Sequence, residues 1–338
     1  LYFMLRWFMA DYFARPVIRS LPPLALSGLF MGLAVASKWT GCYAGVGLAI
    51  IFFWGIYRRA REVCAAKAIL AEKRGDKAIS EEERSACTAV AEQGARSLLL
   101  TAASCLIFFV AVPLAIYYLS YVPYFAYSGG VTVQKVIEAA VGTYFTTGQV
   151  DGMLGYHAQP GLGMDHFFYS PWYQWPLILK PMWYASSNYE PAGMQSTIMA
   201  MGNPAVWWVG LAALAAVTVL WAKRHVGRDG LRLYAPTDEP RPALLLIWFI
   251  AQFLPWILVP RGTYIYHYFP SVPTIILCTM LCLDSMAERC EKAARIALIA
   301  LLAAALVLFV AFFPYASGVT VPQGWLDAMK WFKNWLWY

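Results

Sequence analysis

Eight apolar runs divide this chain and constrain its fold more than any other feature. Seven of them approach or reach the roughly 20 residues that a helix needs to cross a bilayer. Only 13% of the residues are charged and 60% are apolar, far from the balance of a soluble domain. Since lipid offers the backbone no hydrogen bonds, such runs cross a membrane as helices. The predicted full spans are residues 21–37, 41–57, 98–119, 205–222, 243–259, 271–287 and 294–313.

The first run, residues 1–13, is shorter and predicts a partial span. The chain opens on Leu1 rather than Met, and this run reads as the inner end of a helix. We therefore expect the chain to be a fragment of a longer protein. The fold class predicted is an all-α polytopic membrane protein with about seven full transmembrane helices plus a partial one.

The distribution of basic residues predicts the orientation in the membrane. Alternating spans collect 20 of the 26 lysines and arginines on one side, which should be cytoplasmic. The opposite side receives residues 38–40, the long 120–204 stretch, residues 260–270 and the C-terminal tail. It carries only six basic residues, which are Lys38, Lys135, Lys180, Arg261, Lys330 and Lys333.

Four regions follow from these boundaries. Residues 1–128 are predicted to hold membrane spans and a cytoplasmic helical hairpin at 58–97 that turns at Gly75–Asp76. Residues 129–204 form an outer, aromatic-rich loop with amphipathic helices, one of them at 131–147. Residues 205–313 form a four-helix membrane region, and residues 314–338 form a Trp-rich amphipathic tail at the outer interface. The seven cysteines have no metal-binding spacing and are interpreted as structural.

Two of the outer cations lie at span ends beside glycine and aromatic residues. A lipid-linked phosphate at a membrane surface needs positive charge and hydrogen-bond donors to depart as a leaving group. Lys38, Arg261, Tyr266 and His267 are such donors and are the predicted phosphate-binding residues. Alternatives stay open for each: a snorkelling anchor for Arg261, a buried structural pair for Lys38, and interfacial packing for Tyr266 and His267.

The outer loop is dense in Tyr, Trp, His and Pro. His157, His166, Trp172 and Trp175 are predicted to bind the sugar or acceptor, because aromatic faces stack on sugar rings and imidazoles bond hydroxyls. An aromatic belt at the bilayer surface explains the same pattern. A metal site at His157, Asp165 and His166 is disfavoured, because no HxxxH or HExxH spacing supports one. We expect no metal and no cofactor.

Four stretches together resemble bacterial members of the protein O-mannosyltransferase family. They are GLFMGLAVASKWTGCYAGVGLAI, YHAQPGLGMDHFFYSPWYQWPLILKPMWY, NPAVWW and PRGTYIYHYFPSVP, in family order from about residue 26 to 273. The resemblance implies a GT-C type glycosyltransferase that moves mannose, with inversion, from a polyprenyl phosphate to Ser or Thr hydroxyls of exported proteins. The resemblance implies that the donor phosphate is bound by Lys38 of SKWTG and by Arg261, Tyr266 and His267 of RGTYIYHYF. The chain has no room for the MIR domain of eukaryotic members, which fits a bacterial form.

The resemblance assigns the catalytic acid to the first external loop of the family, which this chain does not match. The catalytic residue therefore stays unknown, and we expect residues 1–338 alone to be inactive. The implied partners are polyprenyl-phosphate-mannose, a Ser/Thr-containing acceptor protein and the lipid bilayer, with no nucleic acid; assembly as a dimer stays open. The implied location is the cell membrane, multi-pass, with a periplasmic or extracellular active side. A lipid or sugar transporter and a noncatalytic membrane subunit are the alternative functions.

Overall fold

Long helices follow the apolar runs. A computed structural model of the protein describes residues 1–13, 16–71, 80–142, 152–227, 230–231 and 239–335. Within these ranges seven helices are long and apolar enough to cross a membrane, so the prediction of seven full spans in a multi-pass membrane protein is confirmed. They cover Val17–Ser37, Gly41–Ala71, Glu81–Ser128, Pro204–Arg224, Arg241–Leu258, Ile265–Ala287 and Glu291–Ser317.

The chain divides into two units, Leu1–Gln149 and Val150–Tyr338. The helices described in the first unit are α1 (Tyr2–Met9), α2 (Leu21–Ser37), α3 (Gly41–Ala71), α4 (Glu81–Leu106), α5 (Val112–Ser120), α6 (Val122–Phe125) and α7 (Val133–Val141). A π-helical turn, Ile107–Ala111, joins α4 to α5.

Two glycines of α2 allow this π-helical region to pack closely. A Cβ on Gly28 would lie 2.0 Å from the carbonyl oxygen of Phe108, and one on Gly32 would lie 2.9 Å from Cα of Pro113. Small residues spaced four apart permit such backbone approach between membrane helices. This pair therefore fixes α2 against the second half of the long α4–α5 span.

The predicted charged hairpin extends two membrane helices instead of forming two separate short ones. Helix α3 runs without interruption to Ala71, and α4 begins with a capping box between Ser80 and Glu83. The predicted turn at Gly75–Asp76 lies outside the described residues. Within the outer helix predicted at 131–147, α7 ends at Val141, where Gly142 takes a φ of +67°, and residues 143–147 lie outside the described residues.

The second unit contains six described helices and short strands. The helices are α8 (Gly152–Ala158), α9 (Pro204–His225), α10 (Arg241–Phe253), α11 (Val272–Ala287), α12 (Glu291–Ser317) and α13 (Gln323–Ala328). The strands are β1 (Met182–Ser186), β2 (Met194–Gln195), β3 (Thr197–Ala200), β4 (Val226–Gly227), β5 (Gly230–Leu231) and β6 (Val321–Pro322).

Asn203 begins α9 and ties it to another helix. Its side-chain oxygen accepts hydrogen bonds from the backbone N–H groups of Ala205 and Val206, and its amide donates to the Ala305 carbonyl at 2.8 Å. Further along α9, a Cβ on Gly210 would lie 2.9 Å from the Ile275 side chain of α11. The NPAVWW motif thus starts a helix that packs closely in the C-terminal membrane region.

The outer loop contains strands that the sequence analysis did not predict. Strand β1 pairs with β3 in antiparallel fashion, with Met182 opposite Ala200. Strand β2 pairs with β6, so the loop binds the tail, and Trp335 donates to the Ile178 carbonyl at 2.6 Å. The tail predicted to lie in the membrane interface is therefore also packed on the outer loop, with Trp335 fully buried.

Candidate functional site

Two glycine-rich loops of the second unit run side by side and hold Arg261. Gly262 donates to the Leu162 carbonyl at 2.7 Å, and Gly161 donates to the Pro260 carbonyl at 2.9 Å. A Cβ on Gly262 would lie 2.3 Å from the carbonyl oxygen of Gly163, so only glycine permits this approach. The two loops therefore form one backbone platform, on which Arg261 is half-buried.

The same platform continues to a buried junction. Ser170 donates its backbone N–H to the Thr263 carbonyl at 3.0 Å, and the Thr263 hydroxyl donates to the Ser170 carbonyl at 2.9 Å. Trp175 donates its indole N–H to Ser170 as well, at 3.0 Å from the hydroxyl oxygen. The SPWYQWPL and PRGTY motifs, distant in sequence, are thus joined through one serine.

Three phenols, those of Tyr156, Tyr264 and Tyr266, lie near Arg261, and a fourth, that of Tyr184, lies near Tyr266. The guanidinium lies 5.2 Å from the ring centroid of Tyr156 on α8. Tyr264 and Tyr266 stack at 5.8 Å, and Tyr156, Tyr184 and Arg261 are all within electrostatic range of the Tyr266 phenol. The arrangement combines one positive charge with several hydroxyl donors, which is the chemistry that binds a phosphate oxygen.

Burial keeps the Tyr264 phenol protonated. Loss of solvation raises the pKa of Tyr264 above its usual value, while the positive charge of Arg261 acts in the opposite direction. Asp165 and Tyr156 add smaller effects that raise the pKa further. At neutral pH Tyr264 is therefore an O–H donor beside the guanidinium.

His267 is buried beside Tyr264 and Tyr266. It is 5% exposed, and its Nδ1 is 3.1 Å from the Tyr264 backbone nitrogen and 3.0 Å from the Tyr264 carbonyl oxygen. The Trp256 and Tyr266 rings lie 4.2 and 4.3 Å from the imidazole. The ring is therefore enclosed by aromatic neighbours, and the predicted contact of His267 with the phosphate stays a prediction.

Trp175 is also buried. Its side chain is 0% exposed, stacks on His267 at 5.9 Å and donates to Ser170, so it offers no face to a sugar. Trp172 is half-buried and packs edge-on against Phe253 at 5.5 Å. Of the two predicted tryptophans, only Trp172 retains accessible surface.

The two predicted histidines lie beside the phenol cluster. His157 is next to Tyr156 in α8, and the His166 ring lies 5.4 Å from Tyr264 in an edge-on contact. The Nδ1 of His166 accepts the backbone N–H of Phe168 at 3.2 Å, which leaves the proton on Nε2. Across the described residues no group of three or more His, Cys, Asp or Glu side chains is placed to hold a metal ion, so the geometry gives no support to a site at His157, Asp165 and His166.

Lys38 belongs to the first unit, where it ends α2. Its backbone N–H donates to the Ala34 carbonyl, and its side chain is exposed. Next to it, Trp39 donates to the Tyr117 hydroxyl at 3.0 Å, which in turn lies 3.0 Å from the Tyr121 hydroxyl. The SKWTG motif thus places a cation at a turn beside a chain of polar aromatic tips. Its predicted role with the phosphate stays a prediction.

Three members of the phenol cluster were not assigned by sequence reasoning. Tyr156, Tyr184 and Tyr264 come from α8, β1 and the Arg261 loop. Tyr264 was discoverable, because it lies two residues from Tyr266 in the same string. Tyr156 and Tyr184 carried no signal beyond the general abundance of aromatics in the outer loop.

Comparison with known proteins identifies the family. Residues 151–335 match the model described as the C-terminal four TMM region of protein-O-mannosyltransferase. The chain belongs to the protein O-mannosyltransferase family. The resemblance seen in the sequence motifs is therefore confirmed, and with it the all-α, multi-pass membrane fold class.

Relatives extend the similarity beyond the matched region. The polyprenol-phosphate-mannose–protein mannosyltransferase of Mycobacterium tuberculosis is 22% identical over 333 residues, which cover 91% of this chain and 56% of the relative. The enzyme of the same name from Corynebacterium glutamicum is 23% identical, with 91% and 57% covered. The chain thus spans just over half the length of these curated relatives.

A solved structure is also similar. It is the Saccharomyces cerevisiae protein O-mannosyltransferase Pmt1–Pmt2 complex bound to the sugar donor, with a TM-score of 0.41 and 19% identity. The similarity covers 51% of this chain and 24% of that one.

Proposed function

We propose that the full-length protein transfers mannose from a polyprenyl phosphate to Ser or Thr hydroxyls of exported proteins, with inversion at the anomeric carbon. The observation that carries this proposal is Arg261 among tyrosine side chains, in a chain whose relatives are named polyprenol-phosphate-mannose–protein mannosyltransferases. The names of those relatives supply the donor and the acceptor class, and the cluster supplies a site for the donor phosphate.

In this reaction the bond between the anomeric carbon and the phosphate oxygen breaks while a bond to the acceptor oxygen forms. The lipid phosphate leaves with additional negative charge, and the acceptor hydroxyl loses its proton to a base. Arg261 would stabilise the departing phosphate electrostatically, and Tyr264 and Tyr266 would donate hydrogen bonds to its oxygens. The base is not assigned to any residue of this chain.

Preorganisation supports this role for Arg261. The platform of Gly161–Gly163 and Pro260–Thr263 is held by backbone hydrogen bonds, and His267 fixes the Tyr264 backbone. Donors held in place before the reaction need no reorganisation when charge develops on the leaving group. Trp172, His157 and His166 are proposed to line the sugar or acceptor side, whereas Trp175 is a packing residue.

The site is proposed to face the periplasm or the cell exterior, in a cell membrane. The bias of basic residues puts residues 260–270 on the side opposite to the charged hairpin. A polyprenyl tail would then remain in the bilayer while its phosphate meets Arg261. Lys38 is proposed to assist donor binding. The full-length protein is also proposed to form a dimer.

The test is mannosyl transfer by the full-length protein, with polyprenyl-phosphate-mannose and a Ser/Thr peptide. Removing a charged hydrogen-bond donor from a leaving group costs about 2–4 kcal/mol, so Arg261→Ala should lower kcat/KM for the donor about 30- to 1,000-fold. Arg261→Lys should recover part of this loss, because it restores the charge without the planar fork.

The matched control is Arg295→Ala, an exposed arginine paired with Glu291 on α12. It should leave transfer unchanged, and Lys38→Ala, tested alone, should lower donor use. Full activity of Arg261→Ala would exclude this phosphate site. Movement of the lipid across a bilayer without any mannosyl transfer would instead support the transporter alternative.

A further inference from the structure

An arginine-lined cleft lies in the first unit. It has a volume of about 230 Å³ and is formed where the end of α1 meets the middle of α3. Its walls include Phe8, Asp11, Tyr12, Arg58, Arg59 and Glu62. The volume exceeds by far the 10–15 Å³ or so that a single water requires, so the cleft has room for a tetrahedral anion.

Arg59 forms the floor of this cleft and is 4% exposed. Its guanidinium lies 3.9 Å from the Trp7 ring centroid and 4.5 Å from that of Tyr12, and Nη2 donates to the Trp7 carbonyl at 2.7 Å. Its other terminal nitrogen, Nη1, is buried and has no hydrogen-bond partner among the described residues. A buried charge with an unused donor is costly, unless an anion supplies the missing contact.

The other charged side chains of the cleft do not supply a hydrogen-bond partner for Nη1 of Arg59. Arg58 is half-buried, lies over the Phe8 ring at 4.8 Å, and has a buried Nε without a hydrogen-bond partner in the described part of the chain. Asp11 and Glu62 are exposed at the rim. Among the ion pairs found between described residues, none joins these carboxylates to Arg58 or Arg59. The two arginines therefore retain donor capacity inside a polar hollow.

Packing alone explains only part of this arrangement. The stacking of Arg59 on Trp7 anchors α1 to α3, and Gly55 makes room for it, since a Cβ there would lie 2.6 Å from Trp7. Such an anchor needs neither a second arginine nor an open polar cavity beside it. Replacing a buried charge by an apolar side chain would anchor the helices as well.

We propose that this cleft binds a phosphate group, and that its source is the head group of a phospholipid. The phosphate would accept from Nη1 of Arg59 and from Arg58, the planar donor groups that best match phosphate oxygens. Asp11 and Glu62 at the rim favour a head group that also carries an ammonium, as in phosphatidylethanolamine. The charge bias of the sequence places residues 58–62 of α3 at the cytoplasmic surface, where such head groups lie.

The test uses the full-length protein in detergent, stripped of lipid, with three probes: dioleoylphosphatidylethanolamine, dioleoylphosphatidylglycerol and inorganic phosphate. Binding is measured by native mass spectrometry and by the shift in the unfolding temperature. We expect phosphatidylethanolamine to bind with the highest affinity. Arg58→Gln and Arg59→Lys should each weaken that binding about tenfold, because each removes a charge-assisted donor.

Lys67→Gln is the control, since it removes one positive charge from an exposed position of the same helix outside the cleft. It should bind lipid like the unmodified protein. Asp11→Asn combined with Glu62→Gln should remove the preference for phosphatidylethanolamine over phosphatidylglycerol. Arg58 is half-exposed, so Arg58→Gln tests the site even where Arg59→Lys unfolds the protein.

Each remaining outcome has a defined meaning. Equal binding of inorganic phosphate at comparable concentration would overturn the lipid source and leave a free-phosphate site. Equal lipid binding by Arg58→Gln and by Lys67→Gln would overturn the site itself. Neither result depends on mannosyl transfer, so failure here is separable from failure of the proposed function.

Discussion

Arg59 and Arg261 show two ways in which this protein keeps an arginine among aromatic rings. Arg59 sits within a long helix, where helix geometry and the Trp7 and Tyr12 rings enclose it almost completely. Arg261 sits on a loop, half-buried, with Tyr156 on one side and further phenols nearby. The first site is held by side-chain packing between helices, and the second by hydrogen bonds between two loop backbones.

The difference has a thermodynamic consequence. A side chain enclosed by packing contributes to the stability of the folded protein, because its removal leaves a cavity and unpaired groups. A half-exposed side chain on a preformed platform contributes little to stability and is available to a ligand. Mutations should therefore separate the two sites into one that matters mainly for folding and one that matters mainly for donor binding.

The largest expected effect comes from breaking the platform under Arg261. Gly262→Ala places a methyl group against the Gly163 carbonyl, and overpacking of this kind costs about 3 kcal/mol. We expect a lower unfolding temperature in detergent and loss of donor binding. Gly324→Ala is the control, because nothing lies within 4 Å of a Cβ there. Similar behaviour of both variants would show that the loop approach is unimportant.

Removing each arginine tests the comparison directly. Arg59→Ala loses a charged hydrogen bond to the Trp7 carbonyl and two cation–π contacts, which together are expected to cost about 2 kcal/mol of stability. Arg261→Ala should change the free energy of unfolding by less than about 0.5 kcal/mol, as is usual for surface positions. Thermal unfolding of both variants measures the difference, and equal losses would contradict it.

A smaller effect is expected for the buried tryptophan next to the platform. Trp175→Phe removes the indole hydrogen bond to Ser170, and loss of such a bond costs about 1 kcal/mol. Trp172→Phe should have almost no effect on stability, since Trp172 is half-buried and a phenyl ring can keep its edge-on contact with Phe253. If Trp172→Phe lowers the affinity for sugar or acceptor and Trp175→Phe does not, the assignment of Trp175 to packing is confirmed.

The smallest effect concerns pH. Burial raises the pKa of Tyr264, so its neutral phenol is favoured in the folded protein. The corresponding stabilisation is fully present below the ordinary tyrosine pKa of about 10 and is lost only as the pH rises through the raised value. The difference in donor affinity between the unmodified protein and Tyr264→Phe should therefore be constant from roughly pH 6 to 9. A change in that difference within this range would mean that Tyr264 ionises earlier.

The sequence predicted the membrane spans well, because apolar length alone decides whether a helix can cross a bilayer. The structure confirms all seven full spans, although α3 and α4 continue beyond the apolar runs into the charged hairpin. The strands of the outer loop were not predicted, since β1 and β3 are short and lack alternating polarity. Their pairing depends on contacts that a local pattern does not encode.

The site residues selected from the sequence also differ in whether the structure leaves them accessible or encloses them. Arg261 and Tyr266 were found from charge scarcity and motif position, and the structure places them in one cluster. His267 and Trp175 were selected for the same chemical reasons, yet both are enclosed. Chemical type therefore selected a segment whose side chains lie together, but it did not distinguish the accessible side chains from the enclosed ones.

By itself the sequence determined that this chain is a multi-pass membrane protein and that its motifs are those of the protein O-mannosyltransferase family. Hydropathy and charge are sums over neighbouring residues, so they can be obtained from the sequence without knowledge of the fold. Only the tertiary structure decided which aromatic rings enclose Arg59, which phenols surround Arg261, and which histidine is buried. Those outcomes depend on segments far apart in the chain, such as Gly163 and Gly262, whose backbones meet only after folding.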